Sequence, residues 1–177
     1  MTVEKKGFTL IELIIAMAIL SIALLVISSF FFTNYNALNS VNIDLELQSQ
    51  GERAINFMVD NIIDGYGVAE VKKVDGSDVD LNSSSEIEIT KLSVIKQDSD
   101  ETKYTSIFEL DNGVLNFVKG TEGSTNKEIC NSIKSIIITP LPSGKSFVDC
   151  AGLRIKITME SDKIEKVFVN EVYLRNK

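Results

Sequence analysis

Residues 13–32 form an uncharged, apolar run of about twenty, enough for a helix to cross the roughly 30 Å hydrocarbon core of a bilayer. Such a run leaves a chain few options. A secretory signal has a shorter apolar core followed by a small-residue cleavage site, and Ser28-Ser29-Phe30-Phe31-Phe32 offers no site of that type. A plain membrane anchor accounts for the length and for the basic flank of Lys5 and Lys6, but leaves Glu12 unexplained. An acid at the centre of a spanning helix costs roughly 2.5 to 3.5 kcal/mol, less near the interface, so one at its leading edge asks for a function. Lys5 and Lys6 precede the span, so the positive-inside rule predicts a cytoplasmic N-terminus and an exported remainder.

The residues around that acid, Lys5-Lys6-Gly7-Phe8-Thr9-Leu10-Ile11-Glu12, carry a more specific signal. Gly7-Phe8-Thr9-Leu10-Ile11-Glu12 resembles the prepilin N-terminus shared by type IV pilins and the pseudopilins of type II secretion and competence systems. The resemblance implies that a prepilin peptidase cuts between Gly7 and Phe8 and that the new amino group of Phe8 is methylated. Leader removal makes Phe8 a cation. Phe8 and Glu12 stand four residues apart, so on one helix they share a face, and this amine or a neighbouring subunit's can neutralise the carboxylate. A helix N-terminus also favours an acid in its first turn. The resemblance implies the version between subunits, in which Glu12 attracts the amine of an adjacent copy and sets the stagger of assembly. Processing is then a switch, because the amine does not exist before cleavage.

After residue 32 the chain stays compatible with a helix but becomes amphipathic. Leu38, Val41, Leu45, Ile55, Phe57, Val59 and Ile62 recur at helical spacing among Asn, Gln, Asp and Glu. Gly51 is the weak point, at about 1 kcal/mol relative to alanine, and Gly65-Tyr66-Gly67 supplies a stop. A helix over residues 8–64 would be on the order of 85 Å long. The rest reads as β. Residues 86–90 (with 92–95 continuing or adjoining them) and 153–159 alternate, 104–110 and 114–118 flank a turn, 133–139 is a branched apolar run and 164–174 a less regular one; joined by short turns, these strands predict an antiparallel sheet. Asn112-Gly113 suits a tight hairpin. The expected class is therefore α+β and pilin-like. The resemblance implies a leader over 1–7, followed by a long helix over 8–66 that spans the membrane at about 8–32 and a β-rich head over 67–177.

Other chemistry is sparse. The net charge is -7, from 18 basic and 25 acidic residues, and histidine is absent. That balance gives no broad footprint for nucleic acid, and without an imidazole or a distinct carboxylate pair no catalytic site and no cofactor are expected. Tyr35, Phe57 and Phe117 read as core or subunit-packing aromatics rather than base-stacking platforms. Cys130 and Cys150 fall in the exported part, where a disulfide would close a loop of about twenty residues and contribute on the order of 3 kcal/mol. Two cysteines alone cannot complete a zinc site. Asp75, Asp78, Asp80 and Glu86 form an acidic loop that is a candidate for calcium, which some pilins and pseudopilins bind. Val79 and Asp80 occupy the places where an EF-hand needs an oxygen ligand and a glycine, so a solvated loop is the preferred reading. Gly144-Lys145-Ser146 lacks the first glycine and the following helix of a phosphate-binding loop.

The resemblance implies a minor pilin or pseudopilin, a non-enzymatic filament subunit held in the cytoplasmic membrane before assembly and on the cell surface after it. Its partners would be other pilins, the prepilin peptidase, and a platform protein with an ATPase, since extraction of an apolar helix is uphill. Residues 133–174 and the closing stretch 170–176 also resemble the J-type pseudopilin and W-type minor pilin branch. A rival from another class is a binding module on a membrane stalk, serving adhesion or DNA uptake. It predicts function by the head even when Glu12 is neutralised.

Overall fold

The computed structural model describes Gly7, residues 9–120 and residues 126–176. The chain divides into two compact units, Met1–Asn42 and Ile43–Lys177. One helix, α1 (Leu10–Ile62), runs through the first unit into the second. In the first unit its apolar side chains are exposed all round, and it is long and apolar enough to cross a membrane.

In the second unit the same helix buries one face. Leu47, Gly51, Ala54, Ile55, Met58 and Ile62 recur at three- and four-residue steps and are all buried. They lie against an eight-stranded sheet, antiparallel throughout. Its strands are β1 (Gly67–Lys73), β2 (Ile87–Gln97), β3 (Lys103–Asp111), β4 (Val114–Lys119), β5 (Lys127–Cys130), β6 (Ile133–Leu141), β7 (Gly152–Ser161) and β8 (Ile164–Tyr173). The order across the sheet is β5-β4-β3-β2-β6-β7-β8, with β1 also paired to β2. β2 is the branch point: residues 87–89 pair with β6, and residues 91–97 pair with β3.

Alternation places Leu153, Ile155, Ile157 and Met159 of β7 in the core, with Ile136 and Ile138 of β6 beside Ile157 and Ile155. Phe57 of α1 makes an edge-on cluster with Phe108 and Phe117, at centroid distances of 6.5 and 5.1 Å. Phe57 and Phe117 are thus packing residues of the core. The Asn112-Gly113 hairpin forms as expected, both residues at positive φ. Asp162 and Lys163 make the same two-residue connection between β7 and β8, at φ 46° and 69°. Two strands escape the sequence pattern, β1 and β5. Residues 86–90 and 92–95 belong to one strand, β2.

β8 is fastened to α1 at three levels. Lys166 Nζ donates to Asp44 Oδ2 at 3.0 Å and to Gln48 Oε1 at 3.1 Å. The Phe168 ring rests on Gly51, where an alanine Cβ would stand 2.0 Å from Cε2. Beyond the end of β8, Arg175 N donates to Ile63 O at 2.8 Å and Asn176 Nδ2 to Asp64 O at 3.1 Å, while the Arg175 guanidinium pairs with the Asp64 carboxylate at 3.1 Å. These contacts satisfy the carbonyls of the two residues that follow the helix and tie the end of the chain to it. Lys96, buried within electrostatic reach of Asp64, adds positive charge there; burial pushes its pKa down and Asp64 pulls it back up. The last turn of α1 has no basic residue of its own.

Candidate functional site

The site of greatest interest is the start of α1. Thr9 is the residue before the first helical position, and Glu12 is the acid of the first turn. Glu12 N donates to Thr9 Oγ1 at 3.3 Å, and Glu12 Oε2 accepts from Thr9 N at 2.8 Å and from Thr9 Oγ1 at 2.8 Å. Leu13 N donates to Thr9 O at 3.2 Å, the first bond of the helical ladder. This is a reciprocal capping box: a threonine and a glutamate three residues apart satisfy each other's backbone donors. Sequence reasoning assigned Glu12 a role and missed its partner. The signal was present in Thr9-Leu10-Ile11-Glu12, the spacing of a capping box before an apolar run.

The arrangement has two chemical consequences. The Glu12 carboxylate is held against the helix N-terminus, so it is not a bare charge in an apolar segment. The regular helix also begins at Leu10, so Gly7 lies outside it and is exposed. Phe8, with Lys5 and Lys6, lies outside the described residues.

The acidic loop separates into local contacts. Asp75 Oδ1 accepts from Ser77 N at 2.9 Å and from Ser77 Oγ, and these bonds lower the Asp75 pKa. Asp78 stands 3.7 Å from Lys72 Nζ. Asp80 Oδ1 accepts from Asn82 N and Nδ2, both at 3.0 Å. Asp75, Asp80 and Glu86 line one open cleft of about 630 Å³ together with Lys73. Among the described residues no three acids, cysteines or histidines converge in a way that could hold a metal ion. Gly144-Lys145-Ser146 lies in a turn closed by Lys145 N donating to Pro142 O at 3.1 Å.

The two cysteines are buried but do not meet. Cys130 ends β5 just before Ile133, which pairs with Met159, whereas Cys150 precedes Gly152, which pairs with Leu141. Ile133 and Leu141 are the two ends of β6, about 27 Å apart at ~3.4 Å per residue. A disulfide needs Cα atoms about 4.4 to 6.8 Å apart. The bridge expected from the sequence is therefore not made, because strand register carries the two positions to opposite ends of the β6–β7 pair. Burial pushes the Cys130 thiol up to about 11. Cys150 Sγ donates to Phe147 O at 3.2 Å.

Comparison with known protein families matches residues 4–28 to the prokaryotic N-terminal methylation motif. No curated protein and no solved structure matches the chain. The motif supports a type IV prepilin-like chain and indicates a pilin-like precursor of the kind processed by a prepilin peptidase. Its match covers the capping box and the apolar part of α1 as far as residue 28. The long helix packed on an antiparallel sheet is an α+β, pilin-like architecture, and the motif with the apolar first half of that helix suggests membrane anchoring.

Proposed function

We propose that the chain is a minor pilin or pseudopilin, a non-enzymatic structural subunit of a type IV pilus or of a related secretion or competence filament. The observation that carries this reading is the register at the start of α1. Gly7 stands outside the helix, and the Thr9–Glu12 box opens it directly before the lipid-compatible run. On this reading a prepilin peptidase cuts between Gly7 and Phe8, and the Phe8 amine is methylated. Glu12 then exchanges its bond to Thr9 N for the amine of a neighbouring subunit. A platform protein and an ATPase would supply the work of extraction. The head, outside the cytoplasmic membrane, would become part of the filament surface. Membership of the J-type and W-type branch, which rests on the sequence resemblance of residues 133–174 and 170–176, is part of this proposal.

Mass spectrometry of the chain from cells with and without the peptidase tests the proposal. A peptide beginning at methylated Phe8, lost in the peptidase mutant, supports it; an N-terminus that still includes Gly7 in peptidase-positive cells overturns it. Glu12→Gln separates a filament subunit from a stalked binding module. It abolishes incorporation into filaments while leaving membrane insertion intact, whereas a binding module keeps its function when Glu12 is neutralised.

A further inference from the structure

The uncharged part of α1 is longer than a membrane requires. No Asp, Glu, Lys or Arg occurs from Leu13 through Ile43, and the next charge is Asp44. At 1.5 Å per residue that stretch is about 46 Å long, against a hydrocarbon core of roughly 30 Å. Charge alone therefore leaves the helix free to slide by about ten residues, and something else must fix its depth.

Two observations in the first unit supply the missing constraint. The first is an aromatic cluster: Phe30, Phe31, Phe32 and Tyr35 are exposed by 66, 67, 71 and 70%. Phe30 and Phe31 meet edge-on at 6.3 Å between centroids. Ser28, Phe31, Phe32 and Tyr35 surround an open groove of about 450 Å³. The second is a change in polar content at the same level. Ser21, deep in the run, returns its hydroxyl to Met17 O at 2.7 Å, which hides its donor from lipid. From Thr33 onward polar side chains recur on nearly every turn, at Asn34, Asn36, Asn39, Ser40 and Asn42. Asn34 donates to Phe30 O at 2.8 Å, but a side-chain amide carries more donors and acceptors than one such bond satisfies, and they need water or headgroups.

We propose that Phe30, Phe31, Phe32 and Tyr35 are an anchor for the boundary between acyl chains and headgroups of a lipid bilayer, and that this anchor sets helix depth so that Glu12 stands at the opposite boundary. The helix arithmetic supports this placement. Phe30 lies 18 residues and Tyr35 lies 23 residues beyond Glu12, which is about 27 and 35 Å along the axis and brackets the hydrocarbon thickness. Phenylalanine rings fill the outermost acyl layer and the tyrosine hydroxyl reaches the wet side, the usual division at a membrane interface. Glu12 and its Thr9 cap then sit in the wet boundary of the other leaflet, where an incoming amine can reach the carboxylate without crossing hydrocarbon. The inference rests on the membrane-anchoring part of the proposed function and adds its depth and the residues that fix it.

The chain has no tryptophan, so single Trp probes report depth directly. The full chain carrying Leu20→Trp or Phe31→Trp is reconstituted in phosphatidylcholine–phosphatidylglycerol vesicles whose acyl chains are brominated near the carbonyl or near mid-chain. The Leu20→Trp probe is expected to be quenched more by mid-chain bromine, and the Phe31→Trp probe more by bromine near the carbonyl. Adding Phe31→Ala, Phe32→Ala and Tyr35→Ala to Leu20→Trp is expected to lower its ratio of deep to shallow quenching toward one, because the probe then samples many depths. A Phe31→Trp probe quenched best at mid-chain, or a ratio unmoved by loss of the anchor, overturns the inference and leaves membrane anchoring standing. A Leu20→Trp probe that no brominated lipid quenches overturns both.

Discussion

Gly51→Ala should destabilise this protein, although alanine is the better helix former. In an exposed helix interior the change would stabilise by about 1 kcal/mol. Here the added Cβ would stand 2.0, 2.4 and 2.5 Å from Cε2, Cζ and Cδ2 of Phe168, all inside contact distance for ring atoms. Overpacking of this kind costs about 1 to 3 kcal/mol, which offsets the propensity gain and leaves a net loss of up to about 2 kcal/mol. The assay is urea unfolding of the full chain in detergent, followed by the sheet signal in circular dichroism, for Gly51→Ala, Phe168→Leu and the double variant. Phe168→Leu removes the ring, so the double variant should be more stable than the sum of single effects by about 1 to 2 kcal/mol. A stabilised Gly51→Ala chain, or two effects that simply add, would refute the view that Gly51 is a notch for Phe168.

Three further outcomes follow from contacts described above. Cys130 has its pKa raised to about 11 in the folded chain, so its contribution is fully present below the unfolded value near 9 and is lost as pH rises through 11. The loss amounts to about 2 to 3 kcal/mol across that window, and Cys130→Ala should flatten the alkaline limb of the stability profile. Thr9→Ala removes the helix cap and should raise amide exchange at residues 10–13 by a factor corresponding to about 0.5 to 2 kcal/mol, whereas Thr9→Ser should leave it near wild type. Lys163→Gly replaces a residue held at φ 69° in the β7–β8 turn and should raise the unfolding midpoint, by about 1 kcal/mol in stability; an unchanged midpoint would count against strain there.

The long helix, the antiparallel character of the sheet and the Asn-Gly hairpin were legible because each rests on local pattern. What escaped depends on partners distant in sequence. β1 hides because a bulge between Val68 and Glu70 lets Val68 and Val71, three apart, both point inward, which breaks the alternation that marks a strand. β5 has four residues, too few to show a period, and it exists through pairing with β4. Gly51 looked like a cost because its reason lies in β8. The cysteines looked paired because spacing in sequence says nothing about the register that separates them. At the candidate site the acid announced itself by being out of place, whereas Thr9 is an ordinary residue until its bonds to Glu12 are seen.

The fastening of β8 to α1 bears on how the head takes a load. Asp44 and Asp64 are 20 residues apart on the helical side of the fastening, and Lys166 and Arg175 are 9 apart on β8 and its continuation. At 1.5 and ~3.4 Å per residue these are both about 30 Å, so the two segments run side by side in the same direction and in step. A pull along this part of the helix is therefore a shear, which the Lys166 bonds, the Phe168 seat and the Arg175 clamp resist together. Nothing unzips one contact at a time. A pull on this part of the helix therefore meets several contacts of β8 and its continuation at once.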